Sequence, residues 1–177
     1  ASTAAVAGVA STAAACGDDG DAASTGGSVS SARYLDFEGA HQTGITHPAN
    51  EQGLMAAFDL TATGLDEVRD TFVALSEEAR RLMAGEPYED RDAAYPPLYT
   101  GTVGNPAPPA DLSVVVSVGA SLFDDRYGLA DRRPAALEKM PFLANDRLDP
   151  ARSHGDVLLS ITSTHEDINL FALRQLH

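Results

Sequence analysis

Apolar residues fall into a few short periodic runs separated by long stretches that carry no period. Residues 54–62 place Ala56, Phe58 and Leu60 on one face and Asp59 and Thr61 on the other, which predicts a half-buried strand. Leu65, Val68, Phe72, Leu75, Ala79 and Leu82 then recur at spacings of three and four. That stripe predicts a helix over 65–82, with Glu67, Asp70, Glu77, Glu78 and Arg81 falling elsewhere. Thr63 and Asp66 have the spacing of a helix-start pair, and Gly85 can take the left-handed conformation that ends a helix. A second strand is predicted over 112–118, with Leu112, Val114, Val116 and Val118 inward and Ser113 and Ser117 outward. A third follows over 157–163. Thr164 and Asp167 repeat the helix-start signal, after which Ile168, Phe171, Ala172 and Leu176 give an apolar face that reaches the last residue.

The predicted order is strand, helix, strand, strand, helix. One further strand would complete the βαββαβ ferredoxin-like arrangement, so the fold class expected is α+β: an antiparallel sheet with helices on one face and its last strand missing. The apolar pattern is still running at His177, which reads as a sequence cut short. In that arrangement the final strand pairs with the first, so the 54–62 strand is expected to have a partner on one side only.

Two long intervals separate these elements. Residues 86–110 hold six of the ten prolines, Pro87, Pro96, Pro97, Pro106, Pro108 and Pro109, and read as a loop. Residues 120–155 are a second excursion, with a short helical piece expected near Leu137 and breaks at Pro141 and Pro150. Residues 1–30 differ from the rest, being almost wholly Ala, Ser, Thr, Gly, Val and Asp, and are expected to form a disordered leader and tether ahead of a single domain over 31–177. Within it Cys16 directly follows Ala13, Ala14 and Ala15 and precedes an acidic, glycine-bearing stretch. Small residues before a cysteine resemble a lipoprotein lipobox, which makes Cys16 the candidate lipidation site. Cleavage after an A-x-A signal at Ala13 and Ala15, or an incidental cysteine in an alanine-rich leader, explains the same residues.

Composition narrows the function. With 12 Lys and Arg against 26 Asp and Glu the chain carries a formal charge of −14, which repels nucleic-acid backbones and anionic lipid. A membrane contact is therefore expected only through a lipid anchor. One cysteine excludes a disulfide framework within the chain, and no apolar run is long enough to span a bilayer.

Candidate chemistry is sparse. The five histidines, His41, His47, His154, His165 and His177, form no H-x-x-x-H pair or other ligand spacing, so surface or loop roles are expected for them. Asp124 with Asp125, and Glu166 with Asp167, fall at turns or a helix start, where carboxylates favour the helix dipole. No P-loop, G-x-S-x-G or G-x-G-x-x-G is present; the 101–104 segment is too short and too proline-flanked to cradle a phosphate.

One segment is more specific. Residues 37–48, Phe-Glu-Gly-Ala-His-Gln-Thr-Gly-Ile-Thr-His-Pro, resemble the F-x-G-x-H-Q-x-G-I-x-x-P opening of dye-decolourising (DyP-type) haem peroxidases, in particular their exported deferrochelatase-related branch. The likeness continues through Ala57 to Thr61, through Gly119-Ala120-Ser121-Leu122-Phe123-Asp124, through Arg126-Tyr127-Gly128, Met140-Pro141-Phe142 and His154-Gly155-Asp156. It runs from about Tyr34 to the end, with small departures at Thr46-His47 and at Ser160-Ile161-Thr162-Ser163.

The resemblance implies an enzyme built from two ferredoxin-like halves, of which this chain is the first. Its expected cofactor is haem b, and its expected partners are hydrogen peroxide and a reducing substrate such as a dye, a phenol or a porphyrin. An extracytoplasmic location and a homo-oligomeric state are compatible with the same family. The family's G-x-x-D-G motif, distal arginine and proximal histidine would follow residue 177, so the resemblance assigns no catalytic residue and no metal ligand here, and leaves cofactor-binding residues unassigned. Tyr88, Tyr95, Tyr99 and Tyr127 could relay electrons or could simply pack; His41 and Gln42 could line a haem rim or stabilise a turn. A non-catalytic extracytoplasmic domain that handles iron or haem is the alternative reading.

Overall fold

The computed structural model describes residues 32–48, 50–88, 102–149 and 152–177. Three antiparallel strands, β1 (Gln52–Phe58), β2 (Ser113–Val118) and β3 (Val157–Ser163), form a sheet in the order β1–β3–β2. Because side chains alternate across a strand, the register sets apolar residues in rows: Leu54, Ile161 and Val114, then Ala56, Leu159 and Val116, then Phe58, Val157 and Val118. The central strand alternates buried and half-buried along its whole length, as a strand paired on both sides and covered on one face should. Among the described residues β1 pairs with β3 alone, as expected of the first strand in this topology.

Two long helices cover those rows. α2 (Leu65–Met83) contributes Ala79, Leu82 and Met83 to the core, and α3 (Glu166–Leu176) contributes Ile168, Phe171 and Ala172. Each large aliphatic side chain fully buried here stabilises the fold by about 2 kcal/mol before packing is counted. α2 ends as its glycine demands. Gly85, at φ +68°, donates its amide to the Leu82 carbonyl while the Glu86 amide reaches the Arg81 carbonyl, which satisfies two of the helix's last free acceptors. A third helix of four residues, α1 (Thr43–Thr46), lies on β2, with Gly44 against Val115 and Ser113 on the side of the sheet away from α2 and α3.

Several boundaries move from their expected places, each for a visible reason. The first strand spans 52–58 and stops before Leu60, because the Leu60 amide donates to Asp156 and its carbonyl accepts from the Tyr127 hydroxyl. Gly64, with no side chain to give, is the N-cap of α2; Thr63 instead donates its amide and hydroxyl to Glu67, and Leu65, expected on the buried stripe, is half exposed. In β2 Ser113 is buried and Val118 exposed, the reverse of the expected pattern. Ser113 shares a hydrogen bond of 3.1 Å with Thr162 beneath α1, and Val118 runs out past the edge of the core. Thr164 does not cap α3: its hydroxyl bonds the Ala110 carbonyl, and His165 is the N-cap. No helix forms at Leu137, which closes only a turn onto Pro134; short 3₁₀ turns occur earlier, at Ala120–Phe123, Asp125–Tyr127 and Ala130–Arg132. The proline-rich loop is not all surface, since Tyr88, Ala107 and Ala110 at its two ends join the core.

Candidate functional site

Chemistry-bearing residues concentrate at the end of the sheet where β1 leaves, β2 leaves and β3 begins. The backbones there come too close for side chains. A Cβ on Gly119 would sit 2.1 Å from the Gly155 carbonyl oxygen, and one on Gly155 would sit 2.9 Å from that of Phe58. The Gly119 amide donates to the Asp156 carbonyl at 2.9 Å, joining the two strand ends.

Into this crossing the chain inserts a buried carboxylate. Asp156 is 0% exposed. One of its oxygens accepts the Leu60 amide at 2.9 Å and the other accepts Arg126 Nη2 at 2.8 Å. Arg126 also donates Nε to Asp124 at 2.6 Å and Nη2 to the Ser121 carbonyl at 3.0 Å, and its guanidinium lies 5.0 Å from the Tyr127 ring centre. Asp124 fixes the arginine's own backbone by accepting its amide. The Ser121 hydroxyl donates to the His154 carbonyl at 2.8 Å. Burial pushes the Asp156 carboxyl up, but the hydrogen bonds from Arg126 and Leu60 and the charge of Arg126 outweigh it and hold the group below the usual aspartate range. The Arg126 guanidinium is raised in turn, through its bond to Asp156 first and Asp124 second.

This arrangement is a lock rather than a reaction centre. Both Asp156 oxygens are engaged, one by the Leu60 amide and the other by an arginine shared with Asp124. Three of the blocks quoted above meet here: 119–124 and 126–128, which are nearly continuous, and 154–156, which lies well beyond them in sequence. No local pattern signals the Asp156–Arg126 pair, because thirty residues separate the partners.

The other sequence candidates scatter. His41 is exposed. Gln42 caps α1 and its side-chain amide reaches the Val114 carbonyl at 3.5 Å, and Thr43 hydrogen-bonds the Asp36 carbonyl, so the opening block serves to seat α1 on β2. His47 Nδ1 lies 2.8 Å from the Pro48 carbonyl oxygen. His154 adopts φ +67°, with Nε2 buried without a hydrogen-bond partner and Phe142 edge-on at 6.0 Å. Tyr88 and Tyr127 are 7% and 6% exposed, which fits packing better than surface electron relay. Tyr95, Tyr99 and Cys16 lie outside the described residues. Asp124 and the Glu166–Asp167 pair occupy the turn and helix-start positions expected of them.

An apolar cleft beside β1, lined by Phe58, Leu60, Leu75, Leu159, Leu176 and His177, offers one imidazole, whose ring packs 5.7 Å from that of Phe58. That cleft supplies neither an arginine nor a carboxylate to act on a bound peroxide. Among the described residues no group of three or more His, Cys, Asp or Glu side chains is close enough to hold a metal ion, and no helix is long and apolar enough to cross a membrane. That cleft alone supplies no complete haem site.

A split-βαβ sheet, two helices on one face and a locked strand junction define a ferredoxin-like α+β domain of the kind seen in haem peroxidases of the DyP type. Residues 42–177 match the family described as Dyp-type peroxidase, N-terminal, and the chain belongs to that family. It is 38% identical over 141 residues to the Deferrochelatase of Escherichia coli K12, covering 79% of this chain and 33% of that protein. Ferric DtpA from Streptomyces lividans is 36% identical, with a TM-score of 0.67 over 82% of this chain and 37% of its own. A DyP-type peroxidase from Cellulomonas bogoriensis is 29% identical, with a TM-score of 0.66 over 81% of this chain and 37% of its own. The chain thus spans about a third of the length of the curated relatives it matches.

Proposed function

We propose that this chain is the N-terminal part of an exported haem b peroxidase that reduces hydrogen peroxide and oxidises dyes, phenols or porphyrin-type compounds. The observation that carries the reading is the family match over 42–177 at a third of the relatives' length. In this reading the axial ligand and the groups that act on peroxide belong to the rest of the longer protein, and the chain by itself is inactive. Its own contribution is rigidity. The Asp156–Arg126 lock fixes the loops at one end of the sheet, so that whatever packs there meets a fixed surface.

The proposed organisation is a leader over 1–30 and a domain over 31–177, with Cys16 as the lipid-bearing residue of an extracytoplasmic protein; the composition shift near residue 30 supports it. The name of the Escherichia coli relative makes release of iron from a chelate, and hence porphyrin substrates, the first to assay. The test is to express the protein together with the sequence that follows residue 177 in its gene, load it with haem and follow peroxide-dependent oxidation of an anthraquinone dye. Turnover in the longer protein and none in the 177-residue chain is the expected result. Absence of turnover in a haem-loaded longer protein overturns the reading.

A further inference from the structure

Between the end of β2 and the start of β3 the chain makes an excursion that buries almost nothing. From 130 to 149 every residue is exposed except Leu137, which is half-buried. Four apolar side chains, Met140, Phe142, Leu143 and Leu148, are left between 49% and 64% exposed within nine residues, while the other large apolar side chains exposed among the described residues are spread along the rest of the chain. Such a concentration marks a contact surface where single exposed residues do not. The excursion is nonetheless held in place. Its two ends are joined by the Arg126–Asp156 bond and by the Ser121 hydroxyl on the His154 carbonyl, the Phe142 ring stands edge-on to His154 at 6.0 Å, and turns close at Leu137 onto Pro134 and at Asp146 onto Leu143. A surface already ordered loses little entropy when something covers it.

Charge selects the occupant. Asp131, Glu138, Asp146 and Asp149 are balanced within the excursion by Arg132, Arg133, Lys139 and Arg147, so it is neutral and the formal charge of −14 lies wholly outside it. Two copies of the chain therefore repel each other over most of their surfaces and least where two excursions meet. The signs are also ordered. The excursion opens on Asp131-Arg132 and closes on Asp146-Arg147, and none of these four side chains takes part in the ion pairs among the described residues. Under a two-fold axis the beginning of one excursion faces the end of the other. Asp131 then meets the partner's Arg147 and Arg132 meets the partner's Asp146, with the apolar residues 140–143 near the axis between the two pairs. We propose that residues 130–149 form the surface through which two copies of this chain join about a two-fold axis, its apolar centre supplying the attraction and its charge pairs the register.

Sedimentation equilibrium tests this on the 177-residue chain and on the same chain extended through the sequence that follows it in the gene, at concentrations up to about 100 μM. Both are expected to dimerise. Phe142→Ser with Leu143→Ser should weaken the dimer at least about tenfold, and Arg147→Asp, which sets carboxylate against carboxylate twice, about as much. Adding Asp131→Arg to Arg147→Asp restores opposite signs and should recover the wild-type dissociation constant to within about threefold. All four side chains are exposed, so the melting temperature of each variant should stay close to that of the wild type. A monomer at every concentration overturns the inference, as does a dimer indifferent to the Phe142 and Leu143 changes or a double variant that fails to recover. A longer protein that stays monomeric while the shorter one dimerises overturns it too, because the polypeptide after residue 177 is then the occupant. No haem enters the measurement, so its outcome is separate from that of the peroxidase assay.

Discussion

Asp156 gives up all its solvent on folding and keeps its charge, which is possible only because a backbone amide and a guanidinium replace the water. Removing it strands the Arg126 Nη2 bond and the Leu60 amide together. Asp156→Ala is therefore expected to cost about 3 kcal/mol in urea unfolding, and Asp156→Asn roughly half as much, since the amide oxygen can still accept one of the two bonds. The sign of the pH dependence follows from the lowered folded-state pKa. Such a carboxylate contributes fully above its unfolded value of about 3.9 and progressively less as pH falls below it. The difference in stability between wild type and Asp156→Asn should be flat from neutral pH down to about 5 and shrink below about pH 4; a difference that grows on acidification would remove Asp156 from this role.

At the scale of elements, the junction of β1, β2 and β3 rests on glycines for two separate reasons that substitution can tell apart. Gly128 sits at φ +67° with nothing within 4 Å of an added Cβ, so Gly128→Ala meets only backbone strain, about 1 kcal/mol. Gly119 has an ordinary extended φ but no room, its would-be Cβ meeting a backbone carbonyl at 2.1 Å. Gly119→Ala must push the β3 strand start away and should cost about 3 kcal/mol, with a fall in melting temperature several times that of Gly128→Ala. Equal effects of the two would mean the close approach is not maintained in solution.

The elements themselves were legible because period two and period 3.6 are local: β3, α2 and the buried face of α3 all follow from the spacing of their apolar residues. Their ends were not. β1 stops where Asp156, almost a hundred residues on, takes the Leu60 amide, and Thr164 fails as a cap because Ala110 claims its hydroxyl. The same limit hid the lock, whose residues were visible only as parts of separate blocks. Ser113 departs from the expected pattern because alternation assumes one wet face, and α1 dries part of the second.

For the molecule as a whole, the charge of −14 sets a background repulsion that salt screens. Raising ionic strength from low to physiological values should raise the melting temperature by a few degrees, and a fall would show that the local ion pairs outweigh the net charge. Acid acts in two directions: moving toward the isoelectric point near 4.5 relieves repulsion, while the Asp156 lock weakens below about pH 4. Maximal stability is expected at about pH 5, with a steep loss on the acid side. Where the iron is held decides the role of this chain most directly. Titrating the 177-residue chain with haem while recording its visible spectrum should give no saturable Soret band and no dye oxidation on adding peroxide. A stoichiometric, stable Soret band with turnover would contradict the assignment of this chain as the lobe that shapes the enzyme without carrying its chemistry.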